Sequence, residues 1–384
     1  MAPIRLLVLA GLIALATHEA CGAQLYSAID LGSVFAWRDP IPVARDLNNR
    51  GDVLLDSGVY HSYGPDAGKV TRPAGFRSEP GQYAAFTAMN DRGDVAGSGL
   101  NYGGWNSNRP FVSVGGTATS IPSPPVAGDF RVVDINNHGE VILSDHKGAA
   151  FRYRDGEFTR LGDANSLVFP RAINDHGQVA ADVRQDEKSP PRATLFSDGK
   201  AIDAGTLGGS SSGAYGINDR GEMVGTSSRS AHDLVRPWLE RAAHAFIHSA
   251  GKMIDLGNLD GYDFVEASAG GINNRGQIVG STNLTAVLWE SGSIYDLNTL
   301  LRVPTSQSLM TATKINDLGQ ILAFGVGGAN DYSHAYLLTP DTLPPPGSTV
   351  AVPAVPEPST MLVFGMLALG LAGRVRCRPR RVTD

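Results

Sequence analysis

Cysteine is almost missing: the 384 residues contain two, Cys21 and Cys377, both in terminal segments expected to be removed on maturation. The body between them therefore has no internal disulfide, thiol nucleophile or thiolate metal site, and a packed core must stabilise it. Charge is sparse, at 18% Asp, Glu, Lys and Arg. Walker-type phosphate loops are absent, and no carboxylate pair stands out from the repeat background. Outside the C-terminus acidic residues outnumber basic ones. The formal net charge is −6, and residues 374–384 hold five Arg against one Asp, which leaves −10 on the rest. Such a body repels a phosphate backbone, so the composition excludes general nucleic-acid binding. What the chain has in abundance is Gly (46) and Pro (23), the composition of a turn-rich, largely β protein.

Both ends carry addresses. Arg5 precedes an apolar run over residues 6–16, and the small-residue stretch Ala20-Cys21-Gly22-Ala23 follows. A charged start, a short hydrophobic segment and small residues at the cut describe a secretory signal peptide, residues 1–23, removed by signal peptidase after Ala23. Lipidation at Cys21 is the alternative, but Glu19 breaks the small, apolar context it needs.

At the other end, seven prolines between Pro340 and Pro358 predict an extended linker over residues 340–354. Val355-Pro356-Glu357-Pro358-Ser359-Thr360 comes next, then an apolar run over 361–373 and the Arg-rich end. Ser359 is suited to cap a helix, and the Arg cluster would be held on the cytoplasmic side. The run of 13 residues reaches only ~20 Å as a helix, against a hydrocarbon core of ~30 Å. Length alone thus leaves the span marginal. The order of Val-Pro-Glu-Pro, short hydrophobic helix and basic end resembles the PEP-CTERM sorting signal of Gram-negative bacteria over residues 355–384, with Pro356, Glu357 and Pro358 as the motif. That resemblance implies export through the inner membrane and transient anchoring there. It also implies recognition by an exosortase-type membrane protease and release to the cell surface or an extracellular polysaccharide matrix.

Between the ends one pattern recurs seven times: apolar, Asn, Asn/Asp, any residue, Gly, Asp/Glu/Gln, apolar. It begins as Leu47-Asn48-Asn49-Arg50-Gly51-Asp52-Val53 and ends as Ile315-Asn316-Asp317-Leu318-Gly319-Gln320-Ile321. The leading residues are Asn48, Asn90, Asn136, Asn174, Asn218, Asn273 and Asn316, spaced 38 to 55 residues apart. Asn can bond its own chain two residues on, and Gly three residues later can take the left-handed conformation, so each copy reads as a tight hairpin turn with a bulge. A second strand pair follows each turn, as in His244-Ala-Phe-Ile-His248 with Met253-Ile-Asp-Leu-Gly257. Four strands per repeat is the rhythm of a propeller blade.

The seventh repeat supplies three strands, ending in His334-Ala-Tyr-Leu-Leu338, whereas Tyr26-Ser-Ala-Ile-Asp-Leu-Gly32 has the form of a fourth strand without a repeat. Pairing the two closes the ring and removes an exposed edge. The expectation is an all-β, seven-bladed β-propeller over residues 24–339, built of four-stranded antiparallel blades, the last completed by the N-terminal strand. Small residues before several Asn turns, such as Ser212-Gly213-Ala214, place those strands nearest the axis, and Gly208 to Ser212 reads as a linking loop. His-Ala-Phe with Asp-Leu-Gly and Ile-Asn-Asp-x-Gly resembles the bacterial extracellular HAF repeat family, best over residues 203–297. That resemblance implies an extracellular location and no particular reaction.

The Asn/Asp clusters invite a calcium reading, but each turn offers two or three Asx oxygens and lacks the EF-hand spacing and distal Glu. Structural turns are the stronger reading, and no cofactor is expected. His244 and His334 share a repeat position on different blades, so they need not converge. The most function-like features are departures from the repeat: Tyr102-Gly-Gly-Trp105-Asn106, residues 184–192, and residues 227–243 with Arg236 and Trp238. All three join second to third strands and emerge on one face, where exposed Tyr and Trp could stack on sugar rings. Taken together, the sequence predicts a non-catalytic surface or matrix protein that binds extracellular polysaccharide or surface proteins. A carbohydrate-active lyase or hydrolase and a protein–protein adhesin are the alternatives.

Overall fold

The computed structural model describes residues 24–33, 44–72, 82–101, 109–229, 243–262, 265–326 and 334–343. The predicted signal peptide, the motif Pro356-Glu357-Pro358 and the helix after it lie outside these residues, as do Tyr102, Trp105, Arg236 and Trp238. Seven four-stranded antiparallel sheets are present. They are arranged as the sequence predicts, in a seven-bladed propeller.

Each blade grows from its Asn turn. Asn48 Oδ1 accepts the N–H groups of Arg50 (3.0 Å) and Asp52 (2.9 Å). Gly51, at φ 81°, donates its N–H to Asn48 O (3.1 Å). The side chain thus satisfies main-chain donors that the tight turn would otherwise leave bare. The bulge lies elsewhere than the turn chemistry suggests. It falls in the inner strand just before the turn in all seven blades, for example between Ala44 and Asp46 and between Ala312 and Lys314. A bulge re-aims the side chain that follows it. Here that residue stands two positions before the leading Asn and in six of the seven blades lines the axis.

The strands before the Asn turns are innermost, and crowding explains their small residues. A Cβ on Gly270 would sit 2.7 Å from Ala312 O in the next blade. Gly208 to Ser212 is a correction: it belongs to the ten-residue inner strand Gly208–Ile217 of blade 5. Gly208 pairs with Arg229 and Ser212 with Ser227, so the ladder runs on into what the Gly/Ser composition suggested was loop.

Seven separate hydrophobic clusters occupy the seven blade interfaces. The one between blades 7 and 1 packs Ala44, Leu47, Val53 and Leu55 against Leu322, Ala335 and Leu337. Closure runs through the N-terminal strand Tyr26–Ser33, which pairs antiparallel with His334–Pro340, Tyr26 opposite Pro340 and Ile29 opposite Leu337. Leu31 sits at a bulge between Asp30 and Gly32. Asp341 fastens the clasp: its N–H donates to Leu25 O (3.0 Å), and its carboxylate accepts Ser27 Oγ and pairs with Arg302.

Candidate functional site

Stacking seven identical turns around an axis brings their Asx side chains into two closed rings. In the first, each leading Asn donates its Nδ2 to the main-chain carbonyl of the leading Asn in the next blade. The bonds run from Asn48 to Asn90 and onward to Asn316, which returns to Asn48 O, at 2.8–3.2 Å throughout. All seven Asn are buried. The second ring is built by the following residue: each main-chain N–H donates to the Oδ1 of its neighbour, at 2.6–2.9 Å.

The second ring also carries a side-chain pattern. Asn137 Nδ2 donates to Asp91 (2.7 Å) and Asp175 (2.8 Å), and Asn274 Nδ2 to Asp219 (2.6 Å) and Asp317 (2.9 Å). Asn49 does the same for Asp91 (3.0 Å) and Asp317 (3.3 Å). Burial pushes the Asp175 and Asp317 carboxyls up, and the amide donors beside them oppose it.

One layer inward lie the residues that follow the bulges: Asp46, Asp134 and Lys314, with Ala88, Ala172, Gly216 and Gly271 at the other four positions. All of these but Ala88 line an axial cavity of about 190 Å³ together with the two rings and Tyr215. Lys314 Nζ lies 3.1 Å from Asp46 Oδ1. Asp46 Oδ2 accepts the N–H of Met89 (2.9 Å), and Asp134 accepts those of Ile135 (2.9 Å) and Ile173 (3.0 Å). Burial raises the Asp134 carboxyl to about 6, with Asp46 adding to the shift and Lys314 opposing it. Attraction to Asp46 holds the Lys314 ammonium well above the usual lysine range. These three residues escaped the sequence reading. The available signal was a charge two positions before the leading Asn, where four repeats carry Ala or Gly.

The chemistry of this axis is mostly spoken for, since its carboxylates accept N–H groups. Among the described residues no three His, Cys, Asp or Glu are arranged to hold a metal ion. His244 and His334 stay on separate blades. His244 Nδ1 meets Asp255 Oδ2 (3.1 Å), and His334 Nδ1 meets Asp30 (2.8 Å). His-Ala-Phe and Asp-Leu-Gly are therefore the two sides of one cross-strand pair. In blade 4 Arg192 takes the same place opposite Asp203. His248 stands four residues after His244, a spacing that joins metal ligands on a helix. On a strand it separates them by ~13 Å. The His248 Nδ1 is buried without a hydrogen-bond partner among the described residues.

A further line of contacts in blade 1 had no sequence signal. His61 meets Asp52 Oδ1 through Nδ1 (2.9 Å) and Thr71 Oγ1 through Nε2 (2.7 Å), tying the outer strand Val70–Thr71 to the Asn turn.

Of the three insertions, residues 102–108 lie between the strands Val95–Asn101 and Arg109–Val114, and 230–242 between Met223–Arg229 and Ala243–Ser249. The third joins Val179–Arg184 to Arg192–Ser197. Asp186 organises it, accepting the N–H groups of Lys188 and Ser189 and the Ser189 hydroxyl. All three are second-to-third connections, and the described strand ends that flank them lie on the side opposite the Asn turns. Among the described residues no helix is long and apolar enough to cross a membrane.

Residues 354–381 match the PEP-CTERM protein-sorting motif, a signal for export to a secreted or surface location. No curated protein matches the chain. Among solved structures, the β-propeller domain of the Trilobed protease from Pyrococcus furiosus is similar at 10% identity and a TM-score of 0.45, covering 80% of this chain and 94% of that one. YCF48 bound to D1 peptide is similar at 12% identity and a TM-score of 0.47, with 83% and 96% covered. The WD40 propeller domain of Doa1 gives 12%, 0.40, 82% and 97%.

Proposed function

We propose that this chain is an exosortase-sorted surface protein whose propeller is a non-catalytic binding or structural module in the extracellular polysaccharide layer. The observation that carries the reading is a sorting motif at residues 354–381 on the same chain as a self-closed propeller. The HAF-like pairing of His244 with Asp255 and His334 with Asp30 supports an extracellular setting. A non-catalytic role is supported by the axial carboxylates, which serve as acceptors for turn and strand N–H groups. Ligand contact belongs to the face opposite the Asn turns, with Tyr102, Trp105, Arg236 and Trp238 as the sugar-facing candidates.

Fractionation of tagged chain with and without Pro356-Glu357-Pro358, with intact mass of the released form, tests sorting. Release that ignores the deletion would refute it. A glycan array tests the ligand class. Binding reduced by Trp105→Ala or Trp238→Ala supports the reading, whereas bond cleavage in any bound glycan would replace it with an enzyme.

A further inference from the structure

A ring that alternates amides with carboxylates needs an even number of members, and this one has seven. The second ring reads Asn49, Asp91, Asn137, Asp175, Asp219, Asn274, Asp317 around the axis. One like pair is unavoidable, and it falls between Asp175 and Asp219. Those two belong to blades 4 and 5, which the chain joins directly, so their adjacency needs no help from side chains. Blades 7 and 1 share only the N-terminal strand Tyr26–Ser33 through the chain, so the last three strands must find that strand and the first blade through non-covalent contacts. At this junction every axial contact is complementary. Asp317 N–H donates to Asn49 Oδ1 (2.6 Å), Asn49 Nδ2 to Asp317 Oδ2 (3.3 Å), and Asn316 Nδ2 to Asn48 O (2.8 Å). Lys314, the one cation among the seven residues that follow the inner-strand bulges, stands 3.1 Å from Asp46.

The repeats are alike enough that a smaller ring is the natural competitor. Closing blades 1 to 6 would set Asn274 against Asn49, two amides that keep Asp219 and Asp91 but each lose the Asp317 carboxylate. Closing blades 2 to 7 would set Asp317 against Asp91, a second pair of carboxylates without a side-chain donor between them, like Asp175 and Asp219. Only the seven-bladed ring puts Asp317 against Asn49. Lys314 discriminates in the same sense. The first alternative would leave Asp46 beside Gly271, and the second would leave Lys314 beside Ala88, so both lose the ion pair. Unpaired polar groups and like charges in a confined axis are costly, and a penalty on the wrong partner is how specificity is commonly built.

We propose that Asn49, Asp317 and the Lys314–Asp46 pair specify ring size, directing the seventh blade onto the first and disfavouring closure with six. The inference is independent of what the propeller binds. It concerns how one sequence of near-identical units selects a single closed form.

Asn49→Asp is the decisive variant, because it makes the six-blade contact with Asn274 complementary and the seven-blade contact with Asp317 like. Asn137→Asp adds the same charge to the same ring at an internal position and leaves both closures unchanged. Hydrogen exchange on the full chain, followed peptide by peptide, reads the difference. In Asn49→Asp the strands Ser308–Ile315, Ile321–Val326, His334–Pro340 and Tyr26–Ser33 should exchange faster than blades 3 and 4 by about tenfold or more. In Asn137→Asp all blades should shift together. The double variant Asn49→Asp/Asp317→Asn restores an amide–carboxylate contact at the junction and should restore protection of blade 7. If Asn49→Asp does not fold, Asp317→Asn tests the same junction without added charge and should release the same strands. Equal behaviour of Asn49→Asp and Asn137→Asp, or a double variant as open as the single, would overturn the proposal.

Discussion

Asn316 donates its side-chain amide to the main-chain carbonyl of Asn48 at 2.8 Å, joining residues 268 positions apart. It is the same bond that every other leading Asn makes to its neighbour, so the last turn treats the first as the next in line. A local turn preference thereby becomes a global closure. The Asn that folds the hairpin is also the Asn that joins the blades.

Removing one member of that ring should cost more than an ordinary buried contact. Asn136 is 3% exposed. It accepts the N–H groups of His138 and Glu140 and donates to Asn174 O. Asn136→Ala leaves these groups unpaired within the turn and the ring, an expected loss of about 2–4 kcal/mol. Exposed Asn165 is the control, and Asn165→Ala should stay within about 0.5 kcal/mol. Urea unfolding of both variants reads the difference.

Asp134 should make stability fall with rising pH. Burial raises its folded pKa to about 6, above the unfolded value of about 4. The folded chain therefore holds the proton more tightly, and this stabilising contribution is complete below pH ~4 and lost as pH climbs to ~6. Asp134→Asn should flatten the melting temperature across that window relative to the parent. A variant that keeps the parent's slope would remove Asp134 as its source.

Asp255 should act in the opposite sense. Burial alone would raise its carboxyl, but the His244 hydrogen bond, the Gly257 N–H and the charges of His244 and Arg229 together hold it below the usual range. A depressed folded pKa gives stability that is present above the unfolded value of about 4 and lost as pH falls through the folded value. Asp255→Asn should cost about 1 kcal/mol at neutral pH and soften the acid limb of the stability profile. Melts at pH 7 and pH 3 compare the two forms.

Gly280 should not tolerate a side chain. A Cβ there would stand 1.8 Å from Ser268 O and 3.0 Å from the Ala269 Cα, in a hydrogen-bonded strand pair that cannot part without losing its ladder. Gly280→Ala should destabilise by about 2–4 kcal/mol, whereas Gly292→Ala, with open space around its Cβ, should show only the smaller penalty of its positive φ. Calorimetry of the pair checks this.

Blade count, inner strand and closure were legible because a repeated turn signal needs little context. Asn, then Gly three residues on, favours a hairpin when apolar strand residues flank it, and a repeat short of one strand at one end must find it at the other. Gly208 to Ser212 misled because Gly and Ser favour loops when counted alone, yet suit an inner strand where neighbouring backbones crowd together. Asp46, Asp134 and Lys314 were passed over because nothing in the linear chain shows that seven equivalent positions face one axis. The Asn motif was correctly read as a turn, but a turn does not announce that its amide has a second partner 38 to 55 residues away, or 268 at the closure.

The amino-acid order by itself determined seven turns, four strands to a unit and an orphan strand to complete the last blade, since each follows from local backbone preference and period. Only the tertiary structure decided which carboxylates meet amides, where the one like pair falls and how Lys314 finds Asp46. Those contacts depend on the distances between blades, and a linear sequence acquires such distances only when the ring shuts.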